Sequence, residues 1–145
     1  MAPDTKYLFA ALFGILYLVF GVTELISALV PGIADLTTPF QVPADIIGGL
    51  ALCVVAAVYL SALQRFTTGS GNGPAYLYVA MALSTIFGAV ALLSLTAQGT
   101  DLILFGDEPW SPVALLVPMV YLAIVPALGL SRWGRRFTGD LAGDA

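Results

Sequence analysis

From Tyr7 to Val30 the chain reads YLFAALFGILYLVFGVTELISALV, an unbroken apolar run that ends at Pro31-Gly32. A helix rises about 1.5 Å per residue, so this run reaches roughly 36 Å and crosses the ~30 Å hydrocarbon core of a bilayer with some tilt. Lipid offers the backbone no water to bond, and a continuous apolar run of this length satisfies itself only as a helix. One ionisable residue, Glu24, lies inside it. The preceding MAPDTK balances Lys6 with Asp4, the run is longer than the roughly 7–15 residues of a signal core, and no small-x-small cleavage site follows. The segment is therefore expected to be a retained first helix.

The rest of the chain agrees with a membrane setting. Of its 145 residues, 59% are hydrophobic and 10% charged, with a mean hydropathy of +0.97. Soluble domains carry roughly 25% charged residues. There is room for a single domain. The chain has no histidine and one cysteine, Cys53, inside an apolar segment. That removes an internal disulfide, histidine-held haem, the usual zinc sites and any His–Ser or His–Cys nucleophile pair. No phosphate loop, dinucleotide fingerprint or nucleic-acid motif occurs. The expectation is a non-enzyme without catalytic residues, metal, cofactor or nucleic-acid partner.

Asp4 or Thr5 is suited to cap the first helix. Residues 33–44, with Asp35, Pro39 and Pro43, read as a loop. Asp45 opens a second span over 46–63, closed by Gln64-Arg65. TTGSGNGP (67–74) is a flexible connector by composition, and Gly73-Pro74 launches a third span over 75–97. Gln98–Trp110 reads as a second large loop with an apolar patch at Leu102–Phe105. Ser111-Pro112 then starts a fourth span over 113–130, and a small acidic tail from Thr138 is expected to be mobile. The fold class is all-α: a polytopic bundle of four transmembrane helices, arranged as two similar hairpins. Tyr7-Leu8-Phe9 roughly matches Tyr76-Leu77-Tyr78, and Phe20-Gly21 roughly matches Phe87-Gly88, a weak likeness that any pair of apolar helices produces in part.

All five basic residues, Lys6, Arg65, Arg132, Arg135 and Arg136, fall on one side of such a bundle. The two large loops hold Asp35, Asp45, Asp101, Asp107 and Glu108 and no base. The positive-inside rule places both termini in the cytoplasm of a multi-pass cell-membrane protein, with the acidic loops outside. Arg132, Arg135 and Arg136 around Trp133 suit anionic headgroups at the inner interface. The outer acids could gather cations at an entrance through their summed field, although Asp45 reads first as the cap of helix 2.

Gly14, Tyr17, Gly21, Glu24 and Ala28 share one face of helix 1 by their three- and four-residue spacing. Small residues let membrane helices approach closely, so Glu24 is expected to point into the bundle. Its expected neighbours at that depth are Cys53, Gly88, Pro118 and Tyr121, with Gly49 and Ala91 nearby. Ala80, Ser84, Gly88 and Ala91 form a second small-residue seam, on helix 3. Pro118 and Pro126 are expected to kink helix 4, freeing the carbonyls of Ala114 and Leu122.

No Lys, Arg or His lies in any span, and an unpaired ionised carboxylate at that depth is costly. Three outcomes stay open for Glu24: a protonated carboxyl bonded to Tyr121, Ser94 or a backbone carbonyl; a proton- or cation-binding group in a working cycle; or a pair with another chain. The favoured function is a non-enzymatic membrane subunit that assembles with itself or with a larger complex through its small-residue faces. The alternative is a small oligomeric proton- or cation-coupled transporter that uses Glu24 as its coupling carboxylate.

Overall fold

A computed structural model describes residues 3–30, 40, 42–106 and 116–143, with side chains described between 5 and 133 within those ranges. Its helices are α1 (Pro3–Leu29), α2 (Ile46–Thr67), α3 (Gly73–Phe105) and α4 (Pro118–Gly143). The first three are long and apolar enough to cross a membrane. The expected all-α architecture of four helices is present, but every helix differs at one end or both.

α1 opens at Pro3, a turn before the apolar run, because a first-turn proline loses no helical bond and the polar residues that follow tolerate the turn. α2 starts as expected: the Ile47 N–H donates to Asp45 Oδ1 at 2.9 Å. It runs four residues past the expected stop, since Gln64 and Arg65 are good helix formers. The Thr68 N–H then bonds the Gln64 carbonyl, and Gly69 takes a φ of 69° that suits glycine.

The largest correction is in α3. Residues 98–105, expected as loop, continue the helix to Phe105, so α3 is about 50 Å long. The run from Gln98 holds no proline before Pro109, and its polar residues are compatible with a helix. Thr96 and Thr100 return their hydroxyls to the carbonyls of Leu92 and Thr96, so neither leaves a donor open. α4 begins at Pro118 rather than 113. Pro118 thus occupies a first-turn position and removes no helical bond, contrary to the expected kink, whereas Pro126 does lie inside the helix. The helix passes through the arginine run to Gly143, so residues 138–143 are helical. The expected cap at Ser111-Pro112, with Ala114, Trp110 and the acids Asp35, Asp107 and Glu108, lies outside the described residues.

The helices pack as two hairpins, α1 on α2 and α3 on α4, joined along α2 and α3, while α1 meets α3 and α4 only sparsely. The core is aromatic. Phe9, Phe13 and Tyr17 recur every four residues on α1, and the Phe13 and Tyr17 rings lie 6.0 and 5.8 Å from Tyr59 of α2. Trp133 of α4 meets Phe9 edge-on at 6.1 Å. In the centre, Ser84 Oγ lies 2.8 Å from the Ala80 carbonyl and 3.1 Å from Tyr59 Oη. The serine therefore gives its one proton to the carbonyl and accepts the tyrosine's.

One end of the bundle is basic. Tyr7 Oη donates to the Phe66 carbonyl at 2.7 Å. Arg65 sits 4.0 Å above the Tyr76 ring and donates to its hydroxyl. Lys6 lines a recess there with the Gly69–Gly71 turn. Asp45 and Asp101 lie at the opposite end, so the charge separation read along the chain is a separation in space.

Candidate functional site

The site is set by how closely α1 crosses α2. A Cβ placed on Gly21 would stand 2.8 Å from Cys53 Sγ and 3.0 Å from the Gly49 carbonyl, and one on Gly49 would stand 2.9 Å from the Gly21 carbonyl. Backbones meet here with nothing between them. One turn further along, this crossing brings Glu24 against the first turn of the antiparallel α2. The residue it meets is Gly48. A Cβ there would be 2.9 Å from Glu24 Oε2 and also 2.9 Å from Asp45 Oδ2. The two carboxyl oxygens are thus no farther apart than twice that distance, on either side of a residue with no side chain.

Glu24 is 1% exposed. Its Oε2 is buried and has no hydrogen-bond partner among the described residues, and Ser27 Oγ, a turn beyond, is in the same state. Lower on the same face, the Tyr17 hydroxyl lies near Ser84 without forming a well-aligned bond. Buried polar atoms are almost always satisfied by protein or ordered water, and an open carboxyl oxygen is the costliest of these to leave unmet. Glu24 is the point where the fold and simple satisfaction disagree.

Glu24 lines a cavity of about 510 Å³. Glu24 and Asp45 border it from α1 and the start of α2, Ser94 and Gln98 from α3, and Val117 and Met119 from the start of α4. Phe87, Val90 and Leu95 give it apolar walls, and among the described residues no basic side chain lines it. Among the described residues no group of three or more His, Cys, Asp or Glu side chains forms a metal cluster. The donors present are two carboxylates, one hydroxyl and one amide.

A family model described as an MJ0565 integral membrane domain matches residues 4–133. The chain belongs to the MJ0565 family. No curated relative and no solved structure matches it. Family membership establishes a multi-pass integral membrane domain in contact with the lipid bilayer, as composition and helix length imply. Exposed apolar residues such as Leu8, Leu93 and Leu128 on the helix surfaces are then lipid-facing rather than anomalous.

In this MJ0565 domain the expected neighbours of Glu24 divide. Cys53 packs on Gly21, one turn from Glu24. Tyr121 is half-buried with its ring edge-on to Phe20 at 5.8 Å and supplies no bond to Oε2. Gly88 is not at the cavity but in the α3–α4 crossing, in contact with Ala123 and the Met119 carbonyl. Pro118 is buried between two cavity-lining residues, Val117 and Met119. Of the helix-packing residues, Gly14 faces Tyr59 and Leu60, Ala80 and Ser84 are buried in the core, and Ala91 lines the cavity. Trp133 is a core contact of Phe9 beside an exposed Arg132, while the side chains of Arg135 and Arg136 lie outside the described residues.

Two members of the site were missed as such by sequence reasoning: Gly48, and Asp45 as a second carboxylate. The available signal was register. If Gly21 crosses Gly49 in an antiparallel pair, three residues onward from Gly21 must face three or four residues back from Gly49, which pairs Glu24 with Ile46 and Asp45.

Proposed function

We propose that this chain is a small, non-enzymatic membrane protein that loads and releases a proton or a cation at Glu24, the coupling carboxylate of a transport cycle. One observation carries the reading: Glu24, whose buried Oε2 has no partner among the described residues, lines a cavity large enough to admit a ligand. A merely structural carboxyl would be expected to find a donor. Intramembrane acids that face a cavity are ordinarily binding or relay groups, and Ser94 and Gln98 of α3 add polar groups to the lining. The four helices then span the membrane with both termini in the cytoplasm, and the Glu24 cavity faces the outer half. The one-sided arginine and lysine distribution supports that orientation.

The test is flux in proteoliposomes loaded with a pH-sensitive dye under an imposed proton, sodium or potassium gradient. Wild type is expected to dissipate at least one of these gradients, and Glu24→Gln, nearly isosteric, to lose at least tenfold of that rate while still folding. Equal flux in the two proteins would sink the coupling role.

Assembly with itself or with a larger membrane complex is the second reading, and its footing differs from the small-residue seams. Gly14, Gly21 and Gly88 are all used inside one chain, so they leave no free seam for a partner. The sparse contact between α1 and α4 supports assembly instead: it leaves a groove lined by Phe9, Val125, Leu128 and Trp133 on that side of the bundle. Mass determination of the intact assembly after gentle extraction separates a single chain from a homo-oligomer or a heteromeric complex.

A further inference from the structure

The cavity has more chemistry in it than a proton requires. We infer that it takes an organic ammonium, a positively charged amine attached to an apolar body. The inference rests on the reading of Glu24 as a loading site and names what is loaded.

Sign comes first. Among the described residues two carboxylates and no base border the cavity, so its ligand is a cation. Geometry then selects the head group. Glu24 Oε2 and Asp45 Oδ2 converge on the space over Gly48, each 2.9 Å from the point a methyl there would occupy. Oε2 is unpartnered although Glu24 is 1% exposed, and the other Asp45 oxygen is already committed to the Ile47 N–H. Glu24 thus brings one buried oxygen without a partner among the described residues, and the exposed Asp45 brings its second oxygen to the same space. An ammonium carries three donors and bonds carboxylates at about 2.7–2.9 Å, so it can take both oxygens and one of Ser94 or Gln98.

Size and walls select the rest of the molecule. The cavity holds about 510 Å³, within the roughly 300–1,000 Å³ of small-molecule pockets and far beyond one ion. Phe87, Val90, Leu95 and Met119 surround the remainder. They return nothing to a hydrated inorganic ion but bury an apolar substituent favourably. A charged head at one side and an apolar remainder match this lining. The same ammonium chemistry could come from a free hydrophobic amine or from an aminolipid headgroup reaching in from the bilayer.

The experiment is calorimetric titration of the full chain in phosphatidylglycerol nanodiscs with phenethylammonium, with empty nanodiscs subtracted. Expected is saturable binding of one per chain, at least tenfold tighter than that of the neutral phenethyl alcohol. Glu24→Gln and Gly48→Ala should each weaken it at least tenfold, the second because its methyl fills the space between the oxygens. Asp45→Asn keeps the helix cap and serves if either variant fails to fold; it should weaken binding several-fold. Repeating the titration in phosphatidylethanolamine nanodiscs names the source: competition assigns the site to the lipid headgroup, its absence to a free amine, and both support an ammonium site. Equal affinity for the alcohol, or ammonium binding that survives Glu24→Gln, overturns the inference. Glu24-dependent ion flux without ammonium binding would remove this inference and leave the coupling role standing. Glu24-dependent ammonium binding without flux would do the reverse.

Discussion

Glu24 was recognisable from the sequence because a lone acid in an apolar run is costly to bury and stands out as a functional candidate, even though a neutral, hydrogen-bonded carboxyl also accounts for it. Asp45 was not, because a residue that caps a helix already has a sufficient reason to be there. In the structure one Asp45 oxygen accepts from the Ile47 N–H and the other stands beside Gly48 and Glu24, which is what suits it to the second role proposed above. Two substitutions separate them. Asp45→Ala should lower stability by about 1 kcal/mol through loss of the cap, whereas Asp45→Asn should restore most of it; thermal unfolding of the purified protein in detergent reads both. If Asn is as damaging as Ala, the cap does not account for the residue. In the core, Tyr59→Phe removes the hydroxyl that serves Ser84. Because Ser84 keeps its bond to Ala80, the cost should be modest, about 0.6 kcal/mol as for an average polar contact between membrane helices. Tyr59→Ala removes a fully buried ring and should cost about 3–5 kcal/mol.

Each hairpin is held at its closest point by a glycine: Gly21 against Cys53 and Gly49, Gly88 against Ala123 and Met119. The Phe-Gly pairs at 20–21 and 87–88 were the visible trace of this in the sequence, and the structure places both glycines in equivalent crossings. Gly21→Val should be more damaging than the single-methylene overpacking that costs about 1–3 kcal/mol, since backbone atoms, which do not yield, stand at 3.0 Å. The same unfolding assay checks it; an unchanged midpoint would mean that the crossing is looser than described. Helix ends were less legible than helix existence. Hydropathy marks where lipid stops, not where a helix stops, so Gln64–Thr67 and Gln98–Phe105 remain helical after the apolar run has ended. Pro118 was misjudged for a related reason: a proline opening a helix and a proline kinking one look alike until the first turn is located.

At the scale of the whole molecule, membrane class was read from composition and is upheld by family membership. The cavity was not readable, because it arises where four segments distant in sequence leave space, and spacing within one helix says nothing of that. Asymmetry is its main property. The first hairpin carries Glu24 and the second has Ala91 at the matching depth, so one chain holds one carboxyl site. The orientation proposed here predicts that, in a Cys53→Ser background, a cysteine introduced at Ser70 reacts with a membrane-impermeant thiol reagent only from the cytoplasmic side, and one at Asp101 only from outside. Labelling of both from the same side would refute the four-span arrangement.

The central claim is that Glu24 exchanges its ligand instead of serving as a permanently neutral strut. Infrared difference spectra of the bilayer-embedded protein, recorded across a pH series and again with added cation, measure this most directly through the carboxyl stretching band. A reversible band that is absent in Glu24→Gln and altered by cation is expected. A Glu24 band that stays fixed at every pH and ignores added cation would contradict it.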